Sequence, residues 1–249
     1  MKFVGKVAVI TGGARGIGWA QAQDFMREGC AVAILDIDES LKGELEAGAA
    51  ALGGRLHFEV CDVADEGSVD RAIAGVVAAL GGVDFLINCA AKHLMFYSQP
   101  PTKLPRENWR LMLEINVIGI VNTSAACRAS MAARGGGVII NLSSIASFGI
   151  TGSYGVSKLA VRGLTNALAA EFGGDGIRVC GIAPGMVNSP SATEDVSQEI
   201  VDRLMAAQAI KRPGQMGDVV SAIRFLCSED ASFITGETLL VSGGFPLRA

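Results

Sequence analysis

The sequence predicts an α/β protein, a single-domain doubly wound parallel sheet of about seven strands with helices on both faces, and three observations carry that expectation. Short β-branched runs alternate with longer Ala- and Leu-rich periodic stretches along the whole chain. Runs such as VAVI, AVAIL, FLIN and VIIN are continuously apolar, as strands covered on both faces must be. No internal repeat, low-complexity tract or Pro/Gly/Ser linker divides the 249 residues, which suffice to bury a large core.

In chain order, the β-branched runs place strands at Lys6–Ile10, Ala31–Asp36, Leu56–Asp62, Val83–Asn88, Gly137–Ser143, Arg178–Ala183 and Thr238–Val241. The periodic stretches between them place helices at 16–28, 39–52, 66–80, 107–133, 152–173 and 216–228. Such alternation demands right-handed crossovers between parallel strands. In helix 107–133 the stripe Trp109, Leu113, Asn116 and Ile120 reads as the buried face. The stretch 186–214 lacks a clear strand; with Pro190, Pro213 and Gly214 at its ends and an amphipathic middle from Gln198 to Ala209, it reads as a substrate lid. The N-terminus, MKFVGKVAVITGG, is too short and too interrupted in its apolar run for a signal peptide or a spanning helix, so a cytoplasmic protein is expected.

Composition excludes several functions. With 21 basic against 25 acidic residues spread along the chain, the net charge of −4 offers no footprint for nucleic acid or an anionic membrane. The six cysteines, at 30, 61, 89, 127, 180 and 227, contain no C-x-x-C and sit in apolar contexts, which fits buried free thiols rather than zinc ligands or a disulfide framework. His57 and His93 are the only imidazoles, and no metal is expected.

The first chemical motif is Thr11-Gly12-Gly13-Ala14-Arg15-Gly16-Ile17-Gly18, directly after the first strand and opening the first helix. Glycines at 12, 16 and 18 let the backbone turn tightly and approach a pyrophosphate, whose charge the helix N-terminus meets. Asp36 ends the second strand 24 residues after Gly12, where an acid accepts both hydroxyls of an adenosine ribose. A 2′-phosphate would meet that carboxylate, so NAD is favoured over NADP. Arg15 is the counter-evidence, since its guanidinium could reach such a phosphate.

A second constellation lies at the C-terminal ends of later strands. Asp62, in Cys61-Asp62-Val63, either accepts from an adenine amino group or caps the following helix. Asn88-Cys89-Ala90-Ala91 ends the fourth strand with small residues, as a backbone passing close to a cofactor requires. Asn116 on a buried helical face must be hydrogen-bonded, tying down a kinked backbone, holding a water in a site, or both.

The third constellation is Ser143-Ser144 at the end of the fifth strand, followed by Tyr154-Gly155-Val156-Ser157-Lys158 in a helix. Tyr154 and Lys158 are i and i+4, on a face that continues through Val161, Thr165 and Leu168 to the core. A lysine there is expensive to bury without a task. Its charge beside a phenol would lower a tyrosine pKa from about 10 toward neutrality, making an acid/base for an alcohol or ketone.

With these residues in view, the whole chain resembles the short-chain dehydrogenase/reductase family. TGGARGIG, Asp36, the N-C-A-A run, Asn116, Ser143-Ser144, Y-G-V-S-K, Pro184-Gly185 and FITGETLLVSGG fall in family order. The resemblance implies a Rossmann-type NAD(P)-dependent oxidoreductase with Asn116, Ser144, Tyr154 and Lys158 as its catalytic set. Tyr154 would exchange the proton with the substrate oxygen, Lys158 would bind the nicotinamide ribose and tune Tyr154, a serine would polarise the carbonyl, and Asn116 would hold a water in a proton relay. Cofactor contacts are expected at Gly12, Arg15, Gly16, Ile17, Gly18, Asp36, Asp62, Val63, Asn88, Ala90, Tyr154, Lys158, Pro184 and Gly185, with Val187 and Ser189 on the carboxamide. Cys89 and Ala91 depart from the family's usual N-N-A-G. Ser144 precedes Tyr154 by ten residues, a short loop that leaves Ser143 as the alternative to Ser144.

The segment after Ala91, with Ile145, Phe148, Ile150, Met186, Leu204 and Met205, suggests an apolar pocket for a hydrophobic secondary alcohol or ketone, with His93 the one ionisable group at its wall. The alternative readings are a 3-oxoacyl thioester (acyl-carrier-protein) reductase and a non-catalytic cofactor-binding regulator; an intact Ser-Tyr-Lys set weighs against the second. A mean hydropathy of +0.39 and small residues along helices 107–133 and 152–173 suggest subunit packing, and the resemblance implies a homotetramer.

Overall fold

The computed structural model describes residues 1–92, 94–149, 152–188 and 198–246; His93, Ile150, Ser189 and Pro190 lie outside them. Nine strands are described: β1 (Val7–Thr11), β2 (Ala31–Asp36), β3 (Leu56–Val60), β4 (Phe85–Asn88), β5 (Gly137–Leu142), β6 (Ile177–Pro184), β7 (Val187–Asn188), β8 (Gly214–Gln215) and β9 (Thr238–Val241). Seven form one parallel sheet in the order β3-β2-β1-β4-β5-β6-β9. The helices are α1 (Gly16–Arg27), α2 (Lys42–Ala51), α3 (Glu66–Leu80), α4 (Leu94–Tyr97), α5 (Arg106–Leu113), α6 (Gly119–Ala133), α7 (Ala146–Gly149), α8 (Gly152–Phe172), α9 (Gln198–Ala207) and α10 (Met216–Cys227).

The strands alternate their side chains between two cores, as the pleat requires. Ala8, Ile10, Val32 and Ile34 pack with Phe25, Leu45, Val219 and Ile223 of α1, α2 and α10. Val7, Val9, Ala33 and Leu35 pack on the other face with Val69 and Ile73 of α3, Cys127 and Met131 of α6 and Val161 and Phe172 of α8. Both faces are covered, which is why the strands read as unbroken apolar runs. Register places Leu35, Thr11, Asn88, Asn141 and Gly181 in one row across the sheet, and Asp36, Gly12, Cys89 and Leu142, each following its row member, open on the same crevice. The order reverses between β1 and β4, and ligands of open α/β sheets bind at such a switch point.

Three predicted elements differ. The helix over 107–133 is broken by a π-helical turn at Glu114–Ile118. That turn breaks the constant period behind the stripe, and Met112, Asn116 and Ile120 are buried while Trp109 and Leu113 are half-buried. Strand β3 stops at Val60 because Asp62 turns the chain, its Oδ1 accepting from the Ala64 N–H at 2.9 Å. The 186–214 stretch is not strandless: Val187–Asn188 pairs in parallel with Gly214–Gln215, joining its two ends, and its helix closes at Ala207. Among the described residues no helix is long and apolar enough to cross a membrane. The six thiols are unpaired and all but Cys89 are buried.

Candidate active site

The glycine turn is set by how closely the chain folds on itself. Gly12 has φ +60°, and a Cβ there would stand 2.8 Å from the Ala90 Cα. A Cβ on Gly18 would stand 2.5 Å from the Gly12 carbonyl oxygen. Gly16 differs: an added Cβ would meet nothing within 4 Å, so this corner faces open space. The helix behind it has no side-chain cap from Arg15 and no acid in its first turn, leaving its first N–H groups directed at the opening.

That opening is a cavity of about 550 Å³, of the size that holds a cofactor-sized ligand. It brings together Gly12, Arg15, Gly16, Ile17, Gly18, Asp36, Asp62, Val63, Ala90, Ser143, Ser144, Tyr154, Lys158, Pro184, Gly185 and Val187. Asn88 and Asn116 are not in the lining, and Ser189 lies outside the described residues.

At one end, Asp36 Oδ2 accepts from the Ala14 N–H at 3.1 Å and Oδ1 from the Asp38 N–H at 3.2 Å, so the carboxylate is held in place with lone pairs remaining for a ligand. Arg15 is not free to roam: its Nη2 lies 2.6 Å from Asp38 Oδ2. Asp38 is a residue that sequence reasoning missed. The helix-capping alternative for Asp62 is corrected, because Asp65 caps α3 by accepting from the Gly67 and Ser68 N–H groups. Asp62 therefore lines the cavity as a turn residue.

Beneath the floor runs a buried polar network. Asn88 Nδ2 donates to Asn141 Oδ1 at 2.9 Å, Asn141 Nδ2 donates to Thr165 Oγ1 at 3.1 Å, and Asn88 Oδ1 accepts from Thr123 at 2.8 Å. The cofactor contact expected of Asn88 is thus corrected for its side chain, which is spent on joining β4 to β5 and α6. Asn116, fully buried in the π turn, accepts from the Lys92 N–H at 2.8 Å and donates to Ser157 Oγ at 3.1 Å. Of its two expected tasks the tying is seen in these bonds, which use one lone pair and one N–H of the carboxamide. Lys92 lines the cavity as well, and the apolar expectation for this wall missed it.

At the inner end both serines line the cavity but differ in their partners. Ser143 donates to the Lys158 carbonyl at 2.9 Å and contacts Ser147 at 3.2 Å, both structural bonds. Ser144 Oγ accepts from the Ala146 N–H at 3.2 Å, and its hydroxyl lies near enough to the Tyr154 phenol to favour the ionised form. Tyr154 is 7% exposed and Lys158 3%, one helical turn apart on the predicted face. Lys158 Nζ donates to the Leu142 carbonyl at 2.7 Å and lies 5.7 Å from the Tyr154 ring centroid.

The electrostatics run against expectation. Burial pushes the Tyr154 phenol up from its ordinary value, and the Ser144 hydroxyl only partly offsets this. Burial also lowers Lys158, to about 8. Desolvation therefore outweighs the attraction that was expected to bring Tyr154 toward neutrality. Cys89, also at this end, is pushed up to about 12 by burial and is a neutral thiol.

The expected apolar wall assembles only in part. Tyr97, Leu104 and Met112 pack with Tyr154, but Phe148 lies under the Arg162 guanidinium at 3.7 Å, and Ile145, Leu204 and Met205 are not in the cavity lining. Ser153, preceding Tyr154, donates its N–H and its hydroxyl to the Gln99 carbonyl at 3.0 and 3.1 Å, so the segment after β4 clasps the helix that carries the phenol.

A glycine-cradled cavity at the switch point of a parallel sheet, ending in a buried Ser-Tyr-Lys set, defines a dinucleotide-dependent oxidoreductase. The family model described as Enoyl-(Acyl carrier protein) reductase matches residues 12–246. An uncharacterised oxidoreductase of Mycobacterium tuberculosis strain H37Rv is 35% identical over 99% of this chain and 100% of its own. The 2,5-dichloro-2,5-cyclohexadiene-1,4-diol dehydrogenase LinX of Sphingobium indicum is 36% identical over 98% and 97%. A 7α-hydroxysteroid dehydrogenase solved with NADH and 7-oxo glycochenodeoxycholic acid superposes with a TM-score of 0.92 at 32% identity, covering 98% of this chain and 95% of its own. The chain belongs to the short-chain dehydrogenase/reductase family, whose members bind NAD(P). The open corner at Gly16, the uncapped α1 N-terminus and Asp36 fit such a cofactor.

Proposed function

We propose that this protein transfers a hydride between NAD and a hydrophobic secondary alcohol or ketone. The convergence of Ser144, Tyr154 and Lys158 on the end of the cavity opposite Asp36 carries the reading. The nicotinamide, when bound, supplies or accepts the hydride. In reduction, Tyr154 gives its phenolic proton to the substrate oxygen as the carbonyl carbon gains hydride; in oxidation the same proton returns. Ser144 holds that oxygen by hydrogen bonding, and Lys158, anchored on the Leu142 carbonyl, presents its remaining donors to the ribose and the phenol. Asn116 acts as a positioning residue, fixing the segment after Ala91 to α8. Gly12, Gly16, Ile17 and Gly18 cradle the pyrophosphate, Asp36 takes the ribose, Asp62 and Val63 the adenine, and Ala90, Pro184, Gly185, Val187 and Ser189 the nicotinamide side.

The diol and hydroxysteroid dehydrogenases among the similar proteins support a cyclic or polycyclic alcohol. The test is a turnover screen of NAD and NADP against such alcohols and ketones, read by absorbance of the reduced nicotinamide. NAD-linked turnover of a secondary alcohol is expected; activity on acyl thioesters alone would select the second reading, an acyl-carrier-protein-linked reductase, which the matching family model's description favours.

The chain is read as one catalytic domain with 186–214 as a lid hinged on the β7–β8 pair. Hydrogen exchange of the described part, 198–214, is expected to slow when NAD and a substrate analogue are added together; identical exchange with and without them rejects the lid. Leu111, Ile118, Val121, Val156 and Leu159 are exposed on α5, the π turn, α6 and α8, and Phe225, Phe233 and Leu239 on α10, β9 and the turn between them. Two such apolar faces support a homotetramer. Sedimentation is expected to give a four-chain mass, and a fully active monomer would rule it out.

A further inference from the structure

At the adenosine end of the cavity Asp36 and Arg15 line the wall, and neither Arg15 nor its partner Asp38 has a part in the reading above. Arg15 projects from the glycine turn with a side chain 69% exposed, and Asp38 meets it from the segment after β2 with a side chain 41% exposed. The contact is a single short bond, Nη2 to Oδ2 at 2.6 Å. Asp38 is itself fixed from two sides: Oδ1 accepts from the Ser40 N–H at 3.0 Å, capping the short 3₁₀ turn Glu39–Leu41, and its own N–H donates to Asp36 Oδ1 at 3.2 Å. The carboxylate that faces the ribose and the carboxylate that holds the arginine are therefore joined through one backbone bond.

We propose that Asp38 is a specificity-determining residue that keeps this enzyme on NAD by holding Arg15 away from the position of a ribose 2′-phosphate; the inference rests on the NAD reading above. A phosphate on the 2′-oxygen beside Asp36 brings close to two negative charges against two carboxylates. The nearest cation able to compensate is Arg15, and recruiting it breaks the bond to Asp38 and leaves that carboxylate facing the phosphate. A 2′-hydroxyl makes neither demand. Hydrogen bonds from Ser40 hold the Asp38 carboxyl below its usual range, so the acid stays ionised at any working pH. Because the pair is solvent-exposed, the discrimination is modest and screened by salt.

The test replaces Asp38 with Asn, which keeps the capping oxygen and removes the charge. Binding of adenosine 2′,5′-bisphosphate and of 5′-AMP is measured by titration calorimetry on the parent, D38N, R15A and the double variant, with NADP- and NAD-linked turnover as a second readout. In D38N the bisphosphate is expected to bind about five- to tenfold tighter while 5′-AMP changes less than twofold, with most of the gain lost at 0.5 M salt. In the double variant the gain should disappear, since no arginine is left to release. A D38N protein with the parent's ratio of the two affinities, or a gain that persists without Arg15, overturns the role of Asp38. A parent chain that binds the bisphosphate more tightly than 5′-AMP overturns the NAD reading instead, so the two failures are told apart.

Discussion

Replacing Tyr154 with Phe is expected to lower kcat by about 10²- to 10⁴-fold in both directions while leaving the NAD dissociation constant within about twofold. The ring is 7% exposed and packs with Tyr97, Leu104 and Met112, so Phe fills the same space and only the hydroxyl is lost. Ser144, the neighbouring hydroxyl at the cavity wall, keeps its bond from the Ala146 N–H, so the change orphans no partner. Thermal unfolding within a few degrees of the parent shows that the change is chemical. Activity within tenfold of the parent would remove Tyr154 from the proton transfer. Because burial holds the phenol in its neutral form, ketone reduction should be nearly flat below pH 8 and fall above it as Lys158 loses its proton, whereas alcohol oxidation, which needs the phenolic proton gone, should climb from pH 6 toward 8.

The second large effect concerns Lys158. Its amine is 3% exposed and burial lowers it from an ordinary 10.5 to about 8. Below pH 8 both the folded and the unfolded chain hold the proton, and the fold bears the cost of a buried charge. Between pH 8 and 10.5 the unfolded chain binds more proton than the folded one, so this group's contribution to stability rises with pH. From pH 7.5 to 10 the parent is expected to gain about 2 kcal/mol relative to Lys158→Met, read as the difference in urea-unfolding free energies. The difference is the quantity to read, since buried thiols such as Cys127, and Tyr154 itself, pull the opposite way above pH 9 in both proteins. Equal pH dependence in parent and variant would mean that burial does not lower Lys158 and that the amine keeps its proton up to the ordinary lysine range. Turnover should fall in the variant at least as far as in Tyr154→Phe, because the amine serves both the ribose and the phenol.

The frame of the molecule was legible wherever one physical rule acts alone. A strand covered on both faces carries few polar residues and bonds those it has, as Asn141 does, so VAVI and VIIN announced β1 and β5 to within a residue. The i, i+4 relation of Tyr154 and Lys158 predicted a shared buried face, and Val161, Thr165 and Leu168 continue it. What failed depended on competition or on partners distant in sequence. A π turn adds one residue to a helix without changing its composition, so nothing in 107–133 announced that Met112 and not Leu113 would be buried. The Tyr154 phenol was weighed against its neighbouring charge alone, and desolvation, invisible in a spacing, proved larger. Arg15 looked free because its partner Asp38 lies 23 residues away on another loop. Asn88 carried the right residue type for a cavity wall, yet Asn141 and Thr123, both far off in sequence, claim its carboxamide.

The strand order also dictates a timetable for a chain emerging from a ribosome. β1, β2 and β3 extend the sheet in one direction as they are made, and β4, β5 and β6 then extend it in the other, each docking on an edge already in place. After Pro184 this stops, and β9 begins only at Thr238. Through those intervening residues the outer edge of β6 stands as an unpaired row of backbone groups, a template that another nascent chain can join as readily as β9 can. The growing protein is thus most exposed to misassembly late in synthesis, when its nucleotide end is already built, and truncation just before Thr238 leaves a chain nearly complete in its chemistry but open along one side.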